Sequence, residues 1–104
     1  MPIFSFKGVD ETHLKEYFKK IDELALIINT DSKKIVFWND PSTLIGNGYE
    51  KDTIQINIDW IARPLKQAEV VNHIQKFFSK ISKNIYVIFK EINNLLYING
   101  ENKN

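Results

Sequence analysis

The chain has 104 residues, a formal net charge of +1 and no cysteine. The near-neutral charge gives no electrostatic reason to expect nucleic acid or an anionic membrane as a partner, and the missing cysteines exclude disulfides and thiolate chemistry. The length predicts one domain, 1–104. Because the sequence has neither a signal-peptide pattern nor an apolar run of about 18 residues, we expect a soluble, cytoplasmic protein.

The first part of the chain, 1–39, has the pattern of a β-α-β unit. Residues 3–7 are predicted to form a short strand, and Asp10 is a candidate N-cap for the helix that follows. Apolar residues recur along that helix at spacings of three and four, which predicts one continuous buried stripe. Residues 35–38 are apolar at every position and are predicted to form the second strand. The stripe consists of Leu14, Tyr17, Phe18, Ile21, Leu24, Ala25 and Ile28.

A long irregular segment, 40–53, separates this unit from the next one. Its length and its polar, glycine-containing composition predict a lid or an interface element. Gly46 and Gly48 do not lie between a strand and a helix, so they do not indicate a phosphate-binding loop.

The second part, 54–100, repeats the β-α-β pattern. Residues 54–60 alternate apolar and polar side chains, which predicts a strand, and Pro64 stands where a helix would begin. Residues 85–89 are predicted to form the closing strand of this unit. The helix between the two strands carries its apolar face at Val70, Val71, Ile74, Phe77, Phe78 and Ile81.

The expected fold class is α+β, with a mixed four-stranded sheet, two helices on one face, a short strand at 95–98 and a polar tail at 101–104. Right-handed crossovers would place both helices on the same face of the sheet. The strands at 35–38 and 85–89 are apolar on both faces, so the second face would be a large apolar patch, which soluble monomers avoid. We therefore expect another copy of the chain to cover that face.

Pro2, which directly follows Met1, is the strongest candidate for a catalytic role. Proline is also common after an initiator methionine, so its position alone does not establish a role. Removal of Met1 would leave a secondary amine among Ile3, Phe4 and Phe6, and apolar surroundings disfavour the protonated form of an amine. A neutral amine can act as a general base or as a nucleophile. A retained Met1 would instead make this nitrogen a non-basic amide.

The Met-Pro-Ile-Phe start at 1–4, the two tandem β-α-β units and the apolar second sheet face together resemble the tautomerase superfamily, which includes 4-oxalocrotonate tautomerase and macrophage migration inhibitory factor. More closely, the chain looks like a bacterial family of unknown function within that superfamily. The features behind this second resemblance are the Met-Pro start, Trp-Ile-Ala-Arg at 60–63 before a helix with Gln and Glu, and Tyr-Ile-Asn-Gly at 97–100. The resemblance implies a homotrimer with pockets at subunit boundaries, a small-molecule ligand, and chemistry that needs no cofactor and no metal.

The resemblance also implies a set of site residues. A terminal proline acts as the base, a lysine just before the second strand lines the pocket, and a basic residue ends the third strand. A tyrosine early in the last strand of the second unit comes from the neighbouring subunit. In this sequence these positions are Pro2 as the catalytic residue, with Lys33, Lys34, Ile61, Arg63 and Tyr86 as substrate-binding residues.

Two departures from the superfamily pattern argue against a dicarboxylate substrate. The oxalocrotonate type carries one arginine near the start of the first helix and another in the second strand, where this chain has Thr12, His13 and Ile35. The side-chain amide of the inhibitory-factor type is replaced by Ile88. Bidentate binding of a carboxylate would therefore depend on Arg63 alone.

Each candidate residue also has a purely structural interpretation. Arg63 can pair with a carboxylate such as Asp59, the two lysines can belong to a solvated turn, and Tyr86 can pack in the core. His13 and His73 have no further ligands at metal-binding spacing, so the sequence predicts no metal site.

Three functional hypotheses remain open at this point. The first is a keto-enol tautomerase that uses Pro2 as its base. The second is a non-catalytic oligomeric binding or scaffold protein that keeps the fold. The third is a ferredoxin-like RNA-binding or regulatory domain, against which the neutral charge and the missing aromatic RNA-binding pattern argue.

Overall fold

Four strands form one mixed sheet in the computed structural model, which describes residues 2–46 and 52–102. The two central strands are antiparallel to each other, and each is parallel to its outer neighbour, so each parallel pair needs a helical crossover. This arrangement confirms the predicted α+β fold. The strands are β1 (Ile3–Lys7), β2 (Val36–Asp40), β3 (Thr53–Trp60) and β4 (Asn84–Glu91). Across the sheet they lie in the order β2-β1-β3-β4.

Three helices, and not two, cover one face of the sheet. They are α1 (Glu11–Phe18), α2 (Ile21–Ile28) and α3 (Gln67–Phe78). The single helix expected in the first unit is divided at Lys19 and Lys20, whose N–H groups bond three residues back, to Glu16 and Tyr17. Backbone hydrogen bonds to the residue three positions back, in place of four, tighten the last turn of a helix and mark its end. Phe18, the last residue of α1 and a member of the predicted stripe, is 49% exposed.

The predicted starts of the helices agree with the structure. The Asp10 side chain accepts a hydrogen bond from the His13 N–H at 2.8 Å, which makes Asp10 the N-cap of α1. A short 3₁₀ turn, Pro64–Lys66, leads directly into α3, so Pro64 does begin the helical segment. A proline is accommodated there because the first N–H groups of a helix have no partner within it.

The hydrophobic core lies between the helices and one face of the sheet. Every second side chain of β3, from Ile54 to Trp60, is buried, as the alternating pattern predicts. The Phe6 ring of β1 lies 4.9 to 6.1 Å from the rings of Tyr17, Phe37 and Phe78. Full burial of an aromatic or aliphatic side chain contributes about 1.5 to 3 kcal/mol, so this layer holds the fold together.

The open face of the sheet, which no helix covers, is less apolar than expected. The central strands β1 and β3 present mostly polar side chains there, and the outer strands present exposed apolar side chains together with polar ones such as Asp40 and Lys90. Trp38 on β2 is 62% exposed, and Tyr86 and Ile88 on β4 are 43% and 47% exposed. Two rows across the sheet show the pattern: Trp38, Ser5, Asn57 and Ile88, and then Asp40, Lys7, Gln55 and Tyr86. The exposed apolar surface therefore lies at the two edges of this face.

The C-terminal segment forms a hairpin, β5 (Tyr97–Ile98) and β6 (Glu101–Asn102), in place of the predicted single strand and polar tail. Its two turn residues, Asn99 and Gly100, have φ angles of 54° and 84°. A two-residue hairpin turn of type I′ requires positive φ at both positions, and Asn-Gly is the preferred pair. Residues 103–104 of the expected tail lie outside the described part of the chain.

The segment predicted as a lid or interface element is described only in part. β2 extends to Asp40 and β3 begins at Thr53, and residues 41–46 form no helix or strand. Residues 47–51, which include Gly48, lie outside the described residues. The proposed role of this segment stays a prediction.

Candidate active site

Pro2 lies at the end of the sheet where β1 and β2 begin and β3 ends. The Pro2 carbonyl accepts a hydrogen bond from the Val36 N–H at 3.0 Å, and the Pro2 side chain is buried. The register that pairs Ile3 with both Val36 and Asp59 fixes this position. Met1, which precedes the Pro2 nitrogen in the sequence, lies outside the described residues.

The residue across the sheet from Pro2 is apolar and buried. Continuing the antiparallel register by one residue places Pro2 opposite Trp60, the last residue of β3. Trp60 is 1% exposed, and its ring centroid lies 4.8 Å from that of Phe89. Its indole Nε1 is buried, with no acceptor among the residues that the structure describes. An amine in such surroundings favours its neutral form.

Lys33 and Lys34 belong to a 3₁₀ turn, Ser32–Lys34, that enters β2. The Asp31 side chain caps this turn by accepting a hydrogen bond from the Lys33 N–H at 3.0 Å. Both lysine side chains are exposed. Because the turn ends two residues before Val36, whose N–H bonds to Pro2, the two lysines lie at the Pro2 end of the sheet.

Arg63 makes a contact that the sequence did not indicate. Its guanidinium donates a hydrogen bond from Nη1 to the carbonyl oxygen of Ile28 at 2.8 Å, in a partly buried position. Ile28 is the last residue of α2, where carbonyl groups lack partners within the helix and the helix dipole is negative. The partner is therefore a helix end and not Asp59. This bond uses one of the five N–H donors of the guanidinium.

The segment between β3 and α3 is tied to the turn that follows β4. The Ala62 N–H donates to the Asn93 side-chain oxygen at 3.1 Å, and the Ile92 N–H donates to the Trp60 carbonyl at 2.8 Å. Ile61 lies between these two anchors and is half-buried. Asn93 thus positions the strand end that carries Ile61. Sequence reasoning missed it because an asparagine in a polar segment gives no distinct pattern.

Tyr86 is not brought to Pro2 within one chain. It lies on the open face of β4, in the same row as Gln55 and Lys7. Lys7 is five residues along β1 from Pro2, and a strand rises about 3.3 Å per residue, so the two rows are about 16 Å apart. Of the six predicted site residues, Pro2, Lys33, Lys34, Ile61 and Arg63 therefore gather at one end of the sheet, and Tyr86 lies towards the other.

The described residues contain neither a metal-binding cluster nor a membrane-spanning helix. Within residues 2–46 and 52–102, no three His, Asp or Glu side chains come close enough to hold a metal ion. None of the helices in those ranges combines the length and the apolar character needed to cross a bilayer.

The sheet order and the helices on one face define a fold of the tautomerase and macrophage migration inhibitory factor type. A macrophage migration inhibitory factor-like protein from Entamoeba histolytica superposes with a TM-score of 0.79 at 17% identity, over 98% of each chain. A fused 4-OT, described as an asymmetric trimer, superposes with a TM-score of 0.76 at 10% identity, over 96% of this chain and 94% of that one. At such identities the likeness shows the fold alone.

The chain belongs to the DUF1904 family, a domain of unknown function, whose sequence profile matches residues 1–103. The crystal structure of a DUF1904 domain from Sebaldella termitidis superposes with a TM-score of 0.89 at 18% identity, over 99% of this chain and 100% of that one. No curated protein sequence matches the chain.

Proposed function

We propose that this protein is a cofactor-independent keto-enol tautomerase whose base is the amine of Pro2, freed by removal of Met1. The observation that carries the proposal is the position of Pro2. It is buried at the start of a central strand, beside Trp60, in the fold that macrophage migration inhibitory factor-like proteins and 4-OT share. Apolar surroundings lower the basicity of an amine towards the range in which a general base works near neutral pH.

The proposed reaction is a proton transfer between two positions of a small carbonyl compound. The Pro2 nitrogen takes a proton from the carbon next to the carbonyl group, and the resulting enolate oxygen carries the negative charge. A cation at the same end of the sheet, Arg63, Lys33 or Lys34, stabilises that charge. Return of the proton to the oxygen completes the keto-to-enol conversion, so atoms and charge balance without a cofactor.

We also propose that the pocket is completed in a homotrimer. Tyr86 lies about 16 Å along the sheet from Pro2 of its own chain, so it would reach a Pro2 pocket only from a neighbouring subunit. Exposed Trp38 and Ile88 at the edges of the open face favour burial against further copies. The fused 4-OT of the same fold is described as a trimer. A cytoplasmic location belongs to the same proposal.

The test compares Pro2 with a free and with a blocked nitrogen. Protein made without an N-terminal tag should lack Met1 by intact mass and should convert the enol of phenylpyruvate to its keto form. Its rate should rise with pH through an apparent pKa below that of a free α-amine. Pro2→Ala keeps an amine but changes its basicity and rigidity, so activity should fall, and a chain that retains Met1 should be inactive. Equal rates with and without Met1 would exclude the mechanism.

A non-catalytic scaffold is the second candidate, and the Arg63 contact favours it. The guanidinium hydrogen-bonds the end of α2, so a structural role already accounts for its presence. A stable trimer in which every Pro2 stays blocked by Met1 would support the scaffold hypothesis. A trimer with a free Pro2 amine and a measurable turnover would favour the tautomerase.

A further inference from the structure

A second candidate site lies in the helical layer, away from Pro2. A cavity of about 410 Å³ opens between the first turn of α2 and the last turns of α3. Arg63 binds the opposite end of α2, so the helix separates this cavity from the proposed tautomerase site. Small-molecule sites in proteins commonly have volumes of about 300 to 1,000 Å³. Because the cavity lies among the helices, an assembly made through the open face would leave it accessible.

The charged groups of the cavity are predominantly cationic. Three lysines, Lys20, Lys76 and Lys80, and one carboxylate, Glu23, line it. Three positive charges and one negative charge leave a net charge of +2. Lys20 lies 3.9 Å from Glu23, and within the described ranges neither Lys76 nor Lys80 has a carboxylate within 4.0 Å. The excess positive charge is therefore concentrated on these two lysines.

His73 lines the cavity and makes hydrogen bonds through both of its ring nitrogens. Its Nε2 lies 2.8 Å from a Glu23 carboxylate oxygen, and its Nδ1 lies 2.8 Å from the buried Tyr17 hydroxyl. Only 14% of the His73 side chain is exposed. The hydrogen bond with His73, together with Lys20 and Lys76, holds the pKa of Glu23 below its ordinary value. The carboxylate is thus ionised and already partnered by His73 and Lys20, which leaves the ammonium groups of Lys76 and Lys80 to bind an incoming anion.

The remaining lining is apolar and comes from Phe77 and Ile81. The Phe77 ring is fixed by the rings of Tyr17 and Phe78, each 4.9 Å away between centroids. A half-buried aromatic ring beside cationic groups offers contact area to the organic part of a ligand.

We propose that this cavity binds a small phosphate monoester, with the phosphate among Lys20, Lys76 and Lys80 and the organic group on Phe77 and Ile81. A phosphate monoester carries a charge of about −1.5 to −2 at pH 7, which matches the net +2 of the cavity. A monocarboxylate would neutralise only half of that charge. Lysine binds phosphate as a flexible point charge, so three lysines that line one cavity need no fixed fork geometry to bind it.

The experiment is an NMR titration of the ¹⁵N-labelled full chain with phenyl phosphate. Amide shifts should concentrate at residues 20–23 and 76–81. Phenyl phosphate should bind at least tenfold more tightly than inorganic phosphate, benzoate or benzyl alcohol, because each of these lacks either the organic group or the second charge. Benzoate or benzyl alcohol binding as tightly as phenyl phosphate, or shifts confined to other residues, would overturn the proposal.

Matched charge variants separate a specific site from general attraction. Lys76→Gln with Lys80→Gln should weaken phenyl phosphate binding at least tenfold. Lys15→Gln with Lys66→Gln makes the same change in net charge at positions outside the cavity and should leave binding unchanged. Unshifted amides elsewhere in each variant would show that the fold is intact. Equal weakening by the two pairs would refute the site.

Discussion

The two faces of the sheet carry different kinds of information. The helix-covered face is largely apolar, with Ile56, Ile58 and Phe6 fully buried. The open face is mostly polar along its centre, where Gln55 donates to the Asn57 side-chain oxygen at 3.1 Å, and its exposed apolar side chains lie on the outer strands. One face therefore determines whether the chain folds, and the composition of the other reflects what the folded chain contacts.

Neighbouring residues of β3 give the sharpest test of this difference. Ile56 points into the core and Asn57 points to the open face. Ile56→Ala should lower the free energy of unfolding by about 2 to 5 kcal/mol, because it removes buried methyl groups and leaves a cavity. Asn57→Ala should change it much less, because Asn57 lies on the open face and its truncation leaves no cavity in the core. Urea unfolding at one fixed protomer concentration measures both, and similar losses for the two variants would contradict the assignment of the faces.

The next largest effect should appear in assembly. A charge at Ile88, 47% exposed at the edge of the open face, should reduce a trimer to single chains of 12.2 kDa without unfolding them. Ile88→Asp is therefore compared by light scattering with Leu26→Asp, a control on the helical layer that is 83% exposed. Dissociation by Leu26→Asp alone would move the interface to the helices, and a wild-type protein of 12.2 kDa at micromolar concentration would exclude the trimer.

The covered face was the more predictable of the two from sequence. Alternation along β3 gives a direct signal that was confirmed, and the helical spacing of apolar residues located the helical segments but not the break between α1 and α2. The continuous apolar runs of the outer strands predict an apolar open face. The polar positions of β3 face it too, at Gln55, Asn57 and Asp59.

Other features had weaker signals or none. The break at Lys19 and Lys20 has no glycine or proline to mark it, and the apolar spacing continues across it. The Arg63 bond joins a side chain to a backbone carbonyl 35 residues away, which no side-chain pattern reveals. The hairpin at Asn99 and Gly100 did have a signal, since Asn-Gly is a typical turn pair. The five site residues at the Pro2 end were assigned from the resemblance, because no pattern in the sequence itself gives the strand order that brings them together.

Substitution of Arg63, which follows the end of β3, should cause a moderate loss of stability. Arg63→Gln removes the cation from the end of α2 and should lower the free energy of unfolding by about 1 to 2 kcal/mol, and Arg63→Lys should recover part of the loss. The same variants are assayed with the enol of phenylpyruvate. If stability stays unchanged while kcat/KM falls, the guanidinium serves the ligand and the helix-end contact is dispensable.

The smallest effect concerns the Tyr17 hydroxyl inside the covered layer. Burial, with a further contribution from the Glu23 charge, raises the pKa of Tyr17 well above its ordinary value. A raised phenol pKa means that only the unfolded chain loses this proton as the pH passes the ordinary value of about 10. The contribution of this hydroxyl to the free energy of unfolding is therefore fully present below about pH 10. It decreases above that pH, by about 1 kcal/mol at pH 10.5.

Tyr17→Phe should remove this alkaline loss. Tyr97→Phe is the matched control, because Tyr97 is 65% exposed and its hydroxyl is solvated in both states. The free energy of unfolding is measured for each variant from pH 8 to pH 10.5, a range in which lysine titration is common to all three proteins. Phenylalanine at position 17 also lowers stability slightly at pH 8, since the 2.8 Å bond to His73 is lost. An alkaline slope that persists in Tyr17→Phe would show that another buried group, and not this hydroxyl, limits stability at high pH.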